Sequence, residues 1–253
     1  MLDRGNDQAA GLRRLVGAGA GGGSLSLLAF PLADDAAEAG WIAELAHALR
    51  GLGARPVVMD ASRGRVLRAF GLQARYELLD LLQGAHGFDA VAPSTRDGIH
   101  VLRADRGVEA FVASGAPSAD LFGGFARLSH GFDALMLAMP AAELACLASP
   151  AQVVPVVALD ASDAGLTRAY ATVKDLASRF GYARFAAVVH GAGTGAGAGA
   201  RGAQARLATV ARGFLGVEVA FAGCLPASGP RASALAELAQ HLLHTAATPL
   251  TLH

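Results

Sequence analysis

Lysine is almost missing from this chain: of 21 basic residues in 253 positions only Lys174 is a lysine, and the rest are arginines. A phosphate-binding loop of the G-x-x-x-x-G-K-[ST] kind needs a lysine for the β- and γ-phosphates. Lys174 lies inside the helical pattern AYATVKDLASRF, where it cannot serve such a loop. Cysteine is scarce as well. Cys146 and Cys224 lie far apart with no motif around them, which excludes a disulfide framework and reads as free buried thiols in a reducing cytoplasm. Although 53% of residues are apolar, no run reaches bilayer-spanning length. Net charge is absent too, with 21 basic against 21 acidic residues, so nothing draws the chain to nucleic acid or to an anionic membrane. The opening MLDRGNDQAAGLRRLV lacks the basic-then-apolar order of a secretory signal, and a cytoplasmic location is expected. The histidines show no metal-ligand spacing beyond His241 and His244 on one helical face, a surface pair without a third ligand. No serine stands in a G-x-S-x-G context, and no nucleophile–base pairing is evident.

What is present is an α/β pattern centred on Ser24 to Ser62. An apolar strand at Leu25–Phe30 leads through a loop into a helix at about Asp35–Leu52, then into a second apolar strand at Pro56–Met59. Asp34 or Asp35 caps that helix and Gly53 ends it. Two short strands joined by a helical crossover form a βαβ unit, which starts a parallel sheet. Ligands of such sheets gather at the carboxyl ends of the strands, with phosphates at the loop before the first helix. Here that loop, Ala29 to Glu38, has no glycine, no lysine and three carboxylates. It is an arrangement that repels phosphate.

The alternation continues. Helical patterns are expected at Arg75–Gln83, Ala119–Leu128, Asp160–Phe180, Ala203–Phe214 and Ala232–Leu243. Strands are expected at Phe88–Ala92, Ile99–Arg103, Ala134–Met139, Val153–Leu159, Phe185–Val189 and Val217–Ala222. Ala134–Met139 is apolar throughout and reads as a central strand; Pro155 places its own strand at an edge or a bulge. The pattern predicts one doubly wound, mostly parallel sheet over residues 24–253, preceded by a segment, residues 1–23, that ends in the tether Gly17–Gly23. GAGTGA after Val189 fits a loose dinucleotide fingerprint but falls near the end of the sheet, so residues 191–201 read as a low-complexity loop. Asp60, ending the second strand, is either a ligand-facing carboxylate or a structural cap.

The segment Asp7-Gln8-Ala9-Ala10-Gly11-Leu12-Arg13 resembles the DQAxGLR activator motif of the FlhG/FleN-type flagellar-number regulators, which are MinD/ParA-like ATPases. The likeness extends along the chain: Leu49–Ala61 is similar to the family's helix end and second strand, Phe132–Leu137 to the strand before its Walker B aspartate, and Leu166–Lys174 to its IT-D-AYxxIK helix. The resemblance implies a P-loop NTPase fold of the MinD/ParA type. It also implies a role in flagellar number or placement, exerted on a signal-recognition-type GTPase through Gln8, with Asp7, Leu12 and Arg13 positioning the segment.

Set in that register, the nucleotide motifs are lost one by one. Ala33 stands at the signature lysine, Glu38 at the phosphate-loop lysine, and Ala39 at the Ser/Thr that holds Mg²⁺. Asp60 survives, Ser62 replaces the second aspartate of the switch region, and Ala138 replaces the Walker B aspartate. A glutamate facing the β- and γ-phosphates repels them. The ATP and Mg²⁺ of the family are therefore not expected as cofactors, and the chain reads as a pseudo-ATPase held in one state. Two alternatives stay open: an active ATPase with an atypical loop, and a nucleotide-independent scaffold for flagellar switch proteins or a transcriptional activator. The family's membrane helix has basic residues, whereas Ala232–Leu243 has no lysine or arginine, so packing on the sheet is the expected role of its apolar face.

Overall fold

The computed structural model describes residues 25–32, 37–126, 131–192, 196–227 and 231–245. The expected activator segment and tether lie outside these residues. Seven strands appear among them: β1 (Ser26–Pro31), β2 (Pro56–Asp60), β3 (His100–Arg103), β4 (Ala134–Met139), β5 (Val156–Asp160), β6 (Arg184–Ala192) and β7 (Glu218–Pro226). All pair in parallel, in two hydrogen-bonded blocks with orders β1-β4-β2-β3 and β5-β6-β7. β4 is central in its block, and all six of its residues are buried. Alternation along the strands feeds two cores. Leu27, Ala29, Leu135 and Leu137 face one side of the sheet, and Leu28, Phe30, Met136 and Ala138 face the other.

The longer helices are α1 (Ala37–Gly51), α5 (Asp105–Ser114), α6 (Ser118–Ala126), α8 (Asp163–Phe180), α9 (Ala196–Leu215) and α10 (Arg231–Thr245). Shorter ones are α2 (Arg65–Ala69), α3 (Leu78–Leu82), α4 (Phe88–Val91) and α7 (Ala141–Leu147). α8 starts three residues after the expected Asp160, which ends β5: the Ser162 hydroxyl accepts the Gly165 N–H at 3.1 Å, and Gly181 ends the helix at φ 74°. Gly165 is needed for close approach, since a Cβ there would lie 2.5 Å from the Asp160 carbonyl oxygen. α10 lays Leu235, Leu238, Ala239 and Leu242 into the core shared with α1 and β7, so its apolar face is packed on the sheet. Arg231, just before the expected start, belongs to this helix and pairs with Glu44 of α1 at 2.9 Å.

Several expectations need correction. Phe88–Ala92 is not a strand: Ala92 N–H closes onto the Phe88 carbonyl at 2.8 Å, forming the single turn α4. A five-residue apolar run has no periodicity that separates the two states. The helix expected at Arg75–Gln83 shrinks to Leu78–Leu82, because Glu77 is extended (φ −141°, ψ −179°) and forms a reciprocal capping box with Asp80. Residues 191–201 are not one loop. β6 runs through Ala192 and α9 begins at Ala196, seven positions ahead of the expected Ala203, because alanines at 200, 203 and 211 line its buried face with Leu207. Pro155 precedes β5 instead of interrupting it, and β5 is an edge of its block. Both cysteines are free, but neither is buried: Cys146 is exposed and Cys224 is half-buried. No helix of the described residues is long and apolar enough to cross a membrane.

Candidate functional site

The tips of β1, β4 and β2 meet side by side, with Phe30 opposite Ala138 and Ala138 opposite Asp60. This is the carboxyl edge at which parallel sheets take up ligands. Around Phe30 and Ala138 its occupants are apolar, with Asp60 at the neighbouring tip. Phe30 is 1% exposed and packs edge-on against Trp41 of α1, with ring centroids 5.4 Å apart. Leu32, Ala39 and Ala138 are buried in the same core. Of the positions singled out from the sequence, Ala39 and Ala138 are thus inside this block, and the structure brings Ala138 between Phe30 and Asp60. Glu38 lies in the first turn of α1. Ala33, with the caps Asp34 and Asp35, falls outside the described residues, as do Asp7, Gln8, Ala9, Gly11, Leu12 and Arg13. Lys174 is exposed midway along α8.

Asp60 is fully buried and held from three directions. Its Oδ1 accepts the Ser62 backbone N–H at 2.9 Å and the Ser62 hydroxyl, and its Oδ2 accepts the Leu67 N–H at 2.8 Å. Burial pushes its carboxyl above the usual carboxylate range, while these hydrogen bonds pull the other way. Such bonding ties the end of β2 to the start of α2, the work of a structural cap. Ser62 is 1% exposed and is spent on the same turn.

Beside this block, over the tips of β2 and β4, lies a cavity of about 230 Å³ lined among others by Arg63, Arg65, Asp105, Arg106 and Glu143. Arg63 is a non-glycine residue at φ 58°, fixed there by its N–H donating to Asp105 Oδ1 at 2.6 Å. Arg106 is drawn away to the buried Glu77. Burial, with Asp105 and Glu109 nearby, raises the Glu143 carboxyl. Sequence reasoning passed over Arg63 and Glu143; a charged residue in a turn and one at a helix start carry no local signature.

No group of His, Cys, Asp and Glu among the described residues could hold a metal ion. Among the described residues, the side chains of this block are apolar and bring no cation to it.

The sequence matches no protein-family model, and no curated protein matches it. Solved structures do match in fold. Cobyrinic acid a,c-diamide synthase from Mycobacterium smegmatis superposes with a TM-score of 0.65 at 19% identity, covering 88% of this chain and 96% of that one. MinD in the MinC:MinD cell division complex of Aquifex aeolicus gives 0.63 at 15% identity, over 87% and 96%. The Pyrococcus furiosus cell division ATPase MinD gives 0.56 at 14%, over 88% and 99%. The chain therefore shares the α/β fold of these MinD-like structures.

Proposed function

We propose that the chain is a regulator of flagellar number or placement in which a MinD-like domain works without nucleotide. In this reading the segment Asp7–Arg13 stimulates a signal-recognition-type GTPase, with Gln8 as the stimulating side chain and Gly17–Gly23 giving reach. The observation that supports nucleotide independence is the apolar block at the strand tips: Phe30 and Ala138, with Trp41 packed on Phe30, are buried together at the carboxyl edge where parallel sheets take up ligands. The motif Asp7-Gln-Ala-Ala-Gly-Leu-Arg13 supports the partner class. The domain is then a carrier, held in one state because no γ-phosphate is there to switch it.

GTP turnover by the cognate GTPase tests this, measured with no addition, with the wild-type chain and with Gln8→Ala. Stimulation by the wild type, lost in the variant and unchanged by ATP, is the expected result. Equal turnover in all three would sink the GTPase reading and leave a scaffold for flagellar switch proteins or a transcriptional activator.

A further inference from the structure

At the far side of the molecule, β7 forms the outer edge of the β5-β6-β7 block and, among the described residues, pairs only with β6. Edge strands expose a row of unpaired N–H and C=O groups, and proteins blunt them with lysine, proline or inward charges. β7 reads EVAFAGCLP: between Glu218 at its start and Pro226 at its end there is no charged residue and no proline. Ala222 is bulged out of register, with Ala187 opposite Phe221 and Val188 opposite Gly223. The regular stretch is therefore Glu218–Phe221.

The direction of the free groups can be read. Gln204 of α9 donates its side-chain amide to the Val219 carbonyl, so the Val219 backbone faces away from β6. In a parallel strand both backbone groups of one residue point to the same side, and the residue two further on repeats it. Val219 and Phe221 are thus the outward rungs, and Gln204 already imitates a neighbouring strand at one of them.

Charge selects the occupant. α9 flanks this edge and contains Arg201, Arg206 and Arg212 but no acidic residue. Arg206 is engaged by Asp163 at 2.7 Å. Arg201 sits over the Phe221 ring at 4.7 Å. Arg212 lies eleven residues on, three helical turns and about 16 Å along the same stripe; both it and Arg201 are exposed. Self-pairing of two β7 edges would set two such cationic helices side by side, which repel. We infer that the β7 edge, with the Arg201–Arg212 stripe above it, receives a short, extended, acidic segment of a partner protein as an added strand.

The probe is a blocked octapeptide alternating valine and glutamate, with the valine–lysine counterpart as control, added to the full chain. Slowed amide exchange at Val219 and Phe221 is expected with the glutamate peptide alone. Its dissociation constant should rise with added salt and rise at least fivefold in Arg201→Glu/Arg212→Glu, a pair of exposed changes whose folding is checked by circular dichroism. Equal binding of the lysine peptide, slowing confined to other strands, or an unchanged constant in the double variant would overturn the inference. So would two results without peptide: slow exchange at Val219 and Phe221 that grows with protein concentration, meaning a second copy, or that is independent of it, meaning the chain covers its own edge.

Discussion

Asp60 and Ser62 close the second strand as a unit, the buried carboxylate accepting both the backbone N–H, at 2.9 Å, and the hydroxyl of the serine two residues on. The same Asp-Ala-Ser turn ends β5, where Asp160 Oδ1 accepts the Ser162 N–H at 2.7 Å. The two carboxyls differ in surroundings. Burial raises Asp60, whereas the backbone hydrogen bond from Ser162 lowers the more exposed Asp160. One local sequence thus yields opposite shifts, decided by solvent access.

Asp60→Asn should destabilise the fold by about 1–3 kcal/mol, because an amide nitrogen would face backbone donors now satisfied by carboxylate oxygen. The pH dependence has a definite sign. With its folded pKa above the unfolded value of 3.8, Asp60 binds more protons in the native state, so its contribution is full at acid pH and shrinks as pH rises through the folded pKa. The cost of Asp60→Asn, read from urea midpoints of both proteins, should therefore be larger on the acid side of that window. A cost that grows with pH would contradict the assignment.

Placing a carboxylate at the tip of β4 with Ala138→Asp should not create a nucleotide site. The new charge would lie buried between Phe30 and the Asp60 position, without a partner. A loss of about 3 kcal/mol or more in unfolding free energy is expected, with no ATP turnover gained in a phosphate-release assay.

Mg-ATP at millimolar concentration should leave the thermal midpoint unchanged. A functional site filled at a hundred times its dissociation constant would add about 2.7 kcal/mol of stability, a shift that thermal scanning resolves readily. Such a shift would revive the reading of an active ATPase with an atypical loop.

Tyr182 is 2% exposed and donates its hydroxyl to the Ala148 carbonyl, joining the start of β6 to the end of α7. Burial pushes the phenol from 10.0 up to about 12. The folded chain therefore holds this proton more tightly than the unfolded chain, and the associated stability, complete below pH 10.0, is lost as pH rises toward 12. Tyr182→Phe should cost about 1 kcal/mol at neutral pH and lose that alkaline dependence. Ultraviolet titration of the remaining tyrosines would check it.

Much of the fold was legible in local chemistry. The end of α8 at Phe180 and the wholly apolar strand Ala134–Met139 each depend on neighbours within a few residues, and each appears where the sequence places it. The short elements were not. Phe88–Val91 turns into a helix because it packs under Phe125 and Phe132, contacts remote in sequence. Asp60 could be read as a ligand group or as a cap because its identity does not reveal burial; only the approach of Leu67 N–H makes it a cap.

The sequence by itself determined the alternation of strands and helices, the near absence of lysine, and the lack of glycine and lysine between Ala29 and Glu38. These are properties of composition and spacing. Tertiary structure alone decided that Phe30, Trp41 and Ala138 form one buried block, that the sheet divides between β1 and β5, and that β7 keeps an outward edge beneath arginines. These relations join residues far apart in the chain, and only packing brings them together.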